Sequence, residues 1–126
     1  SGLHLLLVED NALNAEIAAA LLADRGVSVE LARDGSEAVR MFREAPAGTY
    51  AGIIMDIMMP VMDGLTATRA IRALERADAK TIPIIAMTAN AFEEDARQCL
   101  AAGMNVHLAK PLCMEELVAI LARLCA

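Results

Sequence analysis

Ile53-Ile54-Met55-Asp56-Ile57-Met58-Met59-Pro60 is an apolar run that delivers one carboxylate, Asp56, and stops at a proline. An acid buried there without a partner would cost several kcal/mol, on the order of the penalty for any unpaired buried charge. What Asp56 meets in the fold therefore decides how the chain is read, and other apolar runs also end in groups able to handle charge. Leu3 to Val8 is nearly continuous in apolar residues and is bounded by Glu9-Asp10-Asn11, the pattern of a strand buried on both faces. Ile82-Pro83-Ile84-Ile85-Ala86-Met87 ends at Thr88, and Asn105 to Ala109 ends at Lys110-Pro111. With Ala51 to Met55 leading into Asp56, and a half-buried edge strand over Val27 to Ala32, the chain reads as five strands.

Helices fill the intervals. Asn11 caps a first helix running through Arg25, with Leu13, Ile17 and Leu21 expected to face the sheet and Gly26 ending it. Asp34-Gly35-Ser36-Glu37 opens a second helix as a capping box, with Val39 and Phe42 on its inner face. Asp63-Gly64 starts a third carrying Leu65, Ile71 and Leu74; Glu75 to Lys80 reads as its solvated exit. Asn90 and Glu93 start a fourth with Phe92, Ala96 and Leu100 inward, ending at Gly103, and a fifth from Met114 to Cys125 buries Leu117, Ile120, Leu121 and Leu124. Alternating strands and helices call for an α/β doubly wound fold, a parallel sheet with helices on both faces. In such sheets ligands sit outside the carboxyl ends of the strands, where the strand order reverses.

Composition narrows the class. The 126 residues suit one domain spanning 1–126, and 57% hydrophobic content with only 2% aromatic residues calls for an aliphatic core. A net charge of −6 argues against direct grip on nucleic acid or on an anionic membrane surface. Cys99, Cys113 and Cys125 are odd in number and form no Cys-x-x-Cys pair, so reduced thiols and a cytoplasmic location are expected. No segment has the length of a membrane span, and Ser1-Gly2 is compatible with a cloning scar.

The predicted sheet gathers Glu9, Asp10, Asp56, Thr88 and Lys110 at one end. Three carboxylates at short range repel one another unless a cation neutralises them, and hard oxygen ligands favour Mg²⁺ over zinc. Lys110 is a point charge for a carboxylate or phosphoryl oxygen, and Thr88 offers a hydroxyl donor. The set fits phosphoryl transfer with a carboxylate nucleophile.

In Leu7-Val8-Glu9-Asp10-Asn11, Met55-Asp56-Ile57-Met58-Met59-Pro60-Val61-Met62-Asp63-Gly64, Met87-Thr88-Ala89 and Lys110-Pro111 the chain resembles the receiver domain of two-component signalling, also called the response-regulator domain. The resemblance covers nearly the whole chain and implies a flavodoxin-like sheet of order 2-1-3-4-5 with five helices. It implies that Asp56 is the phosphoacceptor and that Asp10, Asp56 and the Met58 carbonyl ligate Mg²⁺, with Glu9 acting through a bound water. Thr88 and Lys110 would contact the phosphoryl group. Where the family usually has Tyr or Phe three residues before the lysine, this chain has His107, which resembles receivers attached to hybrid histidine kinases. Thr88 and His107 are thus the implied switch residues, and the implied output surface is the fourth predicted helix, the fifth strand and the fifth helix. Asp63 reads first as a helix cap, and Asn90 as a cap that the resemblance also places near the hydrolytic water.

The implied function is transfer of a phosphoryl group from a phosphohistidine to Asp56, by a monomer or weak homodimer whose partner is a histidine kinase or histidine phosphotransfer domain. That is a phosphoacceptor role rather than an enzyme's, within a hybrid sensor kinase or, alternatively, a stand-alone regulator. A haloacid-dehalogenase-like phosphatase would need an acid where Met58 stands. A flavin or nucleotide site would need a Gly-rich loop where Glu9-Asp10 stands. An unphosphorylated pseudo-receiver would not need the acid set.

Overall fold

Five strands form one sheet in the computed structural model, which describes residues 3–46, 48–56, 64–88, 97, 100–109 and 114–125. The strands are β1 (His4–Val8), β2 (Ser28–Ala32), β3 (Gly52–Asp56), β4 (Ile84–Thr88) and β5 (Val106–Ala109). All pairings are parallel and the order is β2-β1-β3-β4-β5, as the resemblance implies. Strand order reverses between β1 and β3, which places the switch point beside Asp56.

Alternation along the strands divides the core into two layers. Leu6, Val8, Ile53, Met55, Ile84 and Ala86 face α2 (Gly35–Glu44), α3 (Gly64–Arg72) and the short α4 (Ala77–Thr81), which contribute Ala38, Phe42, Ala67, Ile71 and Ala79. Leu5, Leu7, Ile54, Ile85, Met87 and Leu108 face α1 (Ala12–Asp24) and α5 (Met114–Cys125), which contribute Leu22, Leu117, Ile120 and Leu121. Each strand buried on both faces is a continuous apolar run, whereas β2 at the edge is largely exposed.

Two of the predicted caps, Asn11 and Asp34, are present, and the other two, Asp63 and Asn90, lie outside the described residues. The Asn11 side chain accepts the Asn14 backbone N–H at 3.0 Å, and Asp34 accepts that of Glu37 at 2.8 Å. Gly26 takes a φ of 78° behind α1, where a Cβ would be strained.

Three expectations fail in whole or in part. Leu13, Ile17 and Leu21 do not face the sheet: they are 65%, 51% and 42% exposed, while Ala15 and Leu22 are buried. The helix is apolar nearly all round, so spacing alone does not choose its inner face; the alanine face lets it lie close to the strands. Glu75 to Lys80 is only in part a solvated exit: Glu75, Ala77 and Lys80 are exposed, but α4 begins at Ala77 and Ala79 is fully buried. Arg76 explains why: its guanidinium donates to the carbonyls of Phe42, Arg43 and Ala45 at the end of α2, pairs with Asp78 at 2.7 Å, and lies over the Phe42 ring. The third is Leu100, expected on the inner stripe of the fourth predicted helix, which is 59% exposed. Residues 97 and 100–102 are helical; the rest of that helix, including Asn90, Phe92, Ala96 and Cys99, lies outside the described residues.

Candidate functional site

Register sets the site. Val8 is level with Met55 and Asp56 with Met87, so Glu9 and Asp10 leave β1 at the height where β3 ends. Thr88 pairs with Ala109 at the ends of β4 and β5. Glu9, Asp10 and Asp56 each bring a carboxylate oxygen within 4.8 Å of the others. Glu9 is 4% and Asp56 2% exposed, while Asp10 is open to solvent. Like charges at that separation repel by about 3 kcal/mol per pair at an effective dielectric near 20, so the cluster is built for a cation. Its donors are all hard oxygens, the set that suits an octahedral divalent ion rather than a thiophilic one.

Local structure holds these groups in place. The Glu9 backbone N–H donates to Ala32 O at 3.0 Å, extending the β1–β2 ladder by one residue. From the first turn of α1, Asn14 Nδ2 donates to Glu9 Oε1 at 3.3 Å. This contact of Asn14 with the cluster was not expected from the sequence, where its only signal is its place one helical turn after the cap that follows Asp10. Thr68, fully buried on α3, donates to Gly64 O at 2.8 Å and lies 3.8 Å from Met55 Sδ, tying the start of α3 to the strand that carries Asp56.

Of the sequence-predicted site residues, Glu9, Asp10 and Asp56 are brought together. Thr88 is the last residue of β4 at the same edge. His107 is half-buried on β5 and pairs with Ala86, so it lies level with Met55, one register position below Asp56. Met58, Asp63 and Lys110 lie outside the described residues.

The segment leading into β5 is fixed by Arg72. Its guanidinium donates to Gly103 O at 2.8 and 3.0 Å, to Ala79 O at 3.1 Å and to Asn105 Oδ1 at 3.0 Å. Asn105 Oδ1 in turn accepts the Ile84 N–H at 2.8 Å. Burial pulls the Arg72 guanidinium below the usual arginine value, yet it remains a cation. Gly103 has a φ of 111°, and a Cβ there would come within 3.0 Å of Arg72 Cγ.

A doubly wound parallel sheet with a carboxylate cluster at its switch point defines an α/β module whose clustered acids suit a hard divalent cation. The chain belongs to the response regulator receiver domain family, whose model matches residues 5–122. It is 46% identical to the receiver domain of sensor histidine kinase PA1611 from Pseudomonas aeruginosa PAO1, a structure with a magnesium ion coordinated in the active site cleft. That similarity covers 99% of this chain and 98% of the other, with a TM-score of 0.87. The receiver domain of Saccharomyces cerevisiae Ssk1, solved with the histidine phosphotransfer protein Ypd1, is 30% identical with a TM-score of 0.84, over 98% of this chain and 88% of that one. Two-component system protein A of Emericella nidulans is 43% identical over 94% of this chain, which spans 17% of that relative's length. The chain spans only 6% of hybrid signal transduction histidine kinase B of Dictyostelium discoideum, with 42% identity over 86% of this chain. No helix among the described residues is long and apolar enough to cross a membrane.

Proposed function

We propose that the chain accepts a phosphoryl group from a phosphohistidine onto Asp56. A carboxylate oxygen of Asp56 attacks phosphorus, the P–N bond breaks, and the imidazole leaves with a proton from solvent, forming an acyl phosphate on Asp56. The observation that carries this reading is the cluster of Glu9, Asp10 and Asp56 oxygens within 4.8 Å at the switch point of the sheet. Asp10, Asp56 and the Met58 carbonyl, with Glu9 acting through a bound water, are the proposed holders of a Mg²⁺ ion. That ion would supply charge neutralisation for the carboxylates and the phosphoryl oxygens. Thr88 and Lys110 are proposed to contact the phosphoryl group and, with His107, to report it to an output surface of the fourth predicted helix, β5 and α5.

The proposed donor is a histidine kinase or histidine phosphotransfer domain, and the exposed stripe of Leu13, Ile17 and Leu21 supports its docking on α1, which begins two residues after Asp10. In this reading the chain is a cytoplasmic phosphoacceptor module of a hybrid sensor kinase, a single domain over 1–126 that is a monomer or weak homodimer. It promotes its own phosphorylation and dephosphorylation and turns over no external substrate. Incubation with acetyl phosphate, with and without Mg²⁺, tests the reading by intact mass. The expected result is a Mg²⁺-dependent gain of one phosphoryl group that is absent in Asp56→Asn. No adduct, and no binding of a beryllofluoride mimic, would overturn it.

A further inference from the structure

We infer that Asn14 is a positioning residue for the cation: it turns the Glu9 carboxylate toward Asp10 and Asp56. The inference rests on the cation reading of that cluster. Glu9 is fixed at both ends, by its backbone N–H on Ala32 O at 3.0 Å and by the Asn14 amide on Oε1 at 3.3 Å. The amide approaches from the α1 side and so holds the carboxylate where its oxygen comes within 4.8 Å of those of Asp10 and Asp56. Asn14 is itself anchored, because its backbone N–H donates to Asn11 Oδ1 at 3.0 Å at the helix cap. One short segment, Glu9 to Asn14, thus carries a carboxylate of the cluster, its orienting donor and the cap that fixes the donor.

The chemistry of the side chain matters. An amide donates a hydrogen bond without bringing a positive charge that would compete with the cation. A lysine at 14 would pair with Glu9 and compete with the ion, and an aspartate would have no proton to donate and would repel Glu9. Outer groups of this kind fix the direction of a ligand oxygen, and their loss lowers metal affinity with the ligand set intact.

Calorimetric titration of MgCl₂ into the unphosphorylated chain tests the role, using Asn14→Ala, Glu9→Ala and the double variant, with the thermal midpoint of each metal-free protein measured alongside. The expected result is about tenfold weaker Mg²⁺ binding in Asn14→Ala, the lower end of what loss of an orienting group costs. In the Glu9→Ala background the same substitution is expected to change affinity by less than about twofold, because its effect runs through Glu9. The thermal midpoint separates this from a structural role: Asn14 is exposed, so the metal-free protein should melt as wild type does while the Mg²⁺-induced rise in midpoint shrinks. Unchanged Mg²⁺ affinity in Asn14→Ala, or a full loss that persists without Glu9, overturns the inference and leaves the site reading standing. Failure of the wild-type chain to bind Mg²⁺ overturns both.

Discussion

Arg72→Ala should destabilise the chain by about 3 kcal/mol, a large effect for a half-buried polar residue. The figure follows from the acceptors that the guanidinium serves. Removal strips two hydrogen bonds from Gly103 O and one from Ala79 O, whereas Asn105 Oδ1 keeps the Ile84 N–H. Each carbonyl left unserved costs about 1 to 1.5 kcal/mol, and loss of the side-chain methylenes packed against Gly103 adds a few tenths more. For a chain of this size about 3 kcal/mol lowers the melting temperature by roughly 10 °C, measured by calorimetry or far-ultraviolet circular dichroism. Arg72→Lys should recover less than half of the loss, since one ammonium on a flexible stem cannot serve Gly103, Ala79 and Asn105 together. A drop of less than about 2 °C in Arg72→Ala would refute the reasoning, because that corresponds to less than one net hydrogen bond. So would a lysine variant as stable as wild type.

Two further outcomes are expected. Tyr50 is the chain's single tyrosine and there is no tryptophan, so the phenolate absorbance reports this residue alone. Burial, and then its hydrogen bond to Glu30, raise its pKa from 10 to about 12, and Glu30→Gln should lower that value only in part because burial remains. The sign follows from the raised value: the contribution to stability is complete below pH 10 and is lost as pH climbs through about 12, so titration at the unperturbed value would contradict it. Ile17→Lys should slow phosphotransfer from a histidine phosphotransfer domain about tenfold or more while leaving acetyl phosphate labelling unchanged, because Ile17 is 51% exposed and makes no part of the carboxylate cluster; equal slowing with both donors would contradict a docking role.

How far the sequence could be read depended on whether one pattern admitted one placement. Ile53 to Asp56 had a single solution, a strand buried on both faces, and every residue of β3 is buried. The carboxylate cluster followed from it, since parallel strands of similar length must align their carboxyl ends. Leu13, Ile17 and Leu21 had two solutions, because the alanines on the opposite side of α1 could also face the sheet, and close approach favoured the smaller side chains. The 75–80 segment looked solvated because its charges are read as free, yet Arg76 spends its donors on the end of α2. The Arg72 latch and the Asn14 contact join residues whose pairing has no periodic signature, and only the folded geometry brings them together.

Borohydride reduction of the phosphorylated chain, followed by peptide mapping, tests the central claim most directly, because hydride converts an aspartyl phosphate to homoserine and marks the acceptor by mass. After Mg²⁺-dependent phosphorylation, homoserine is expected at position 56 with Asp10 unmodified. Homoserine at another acidic position, or a phosphorylated chain that yields none, would contradict it.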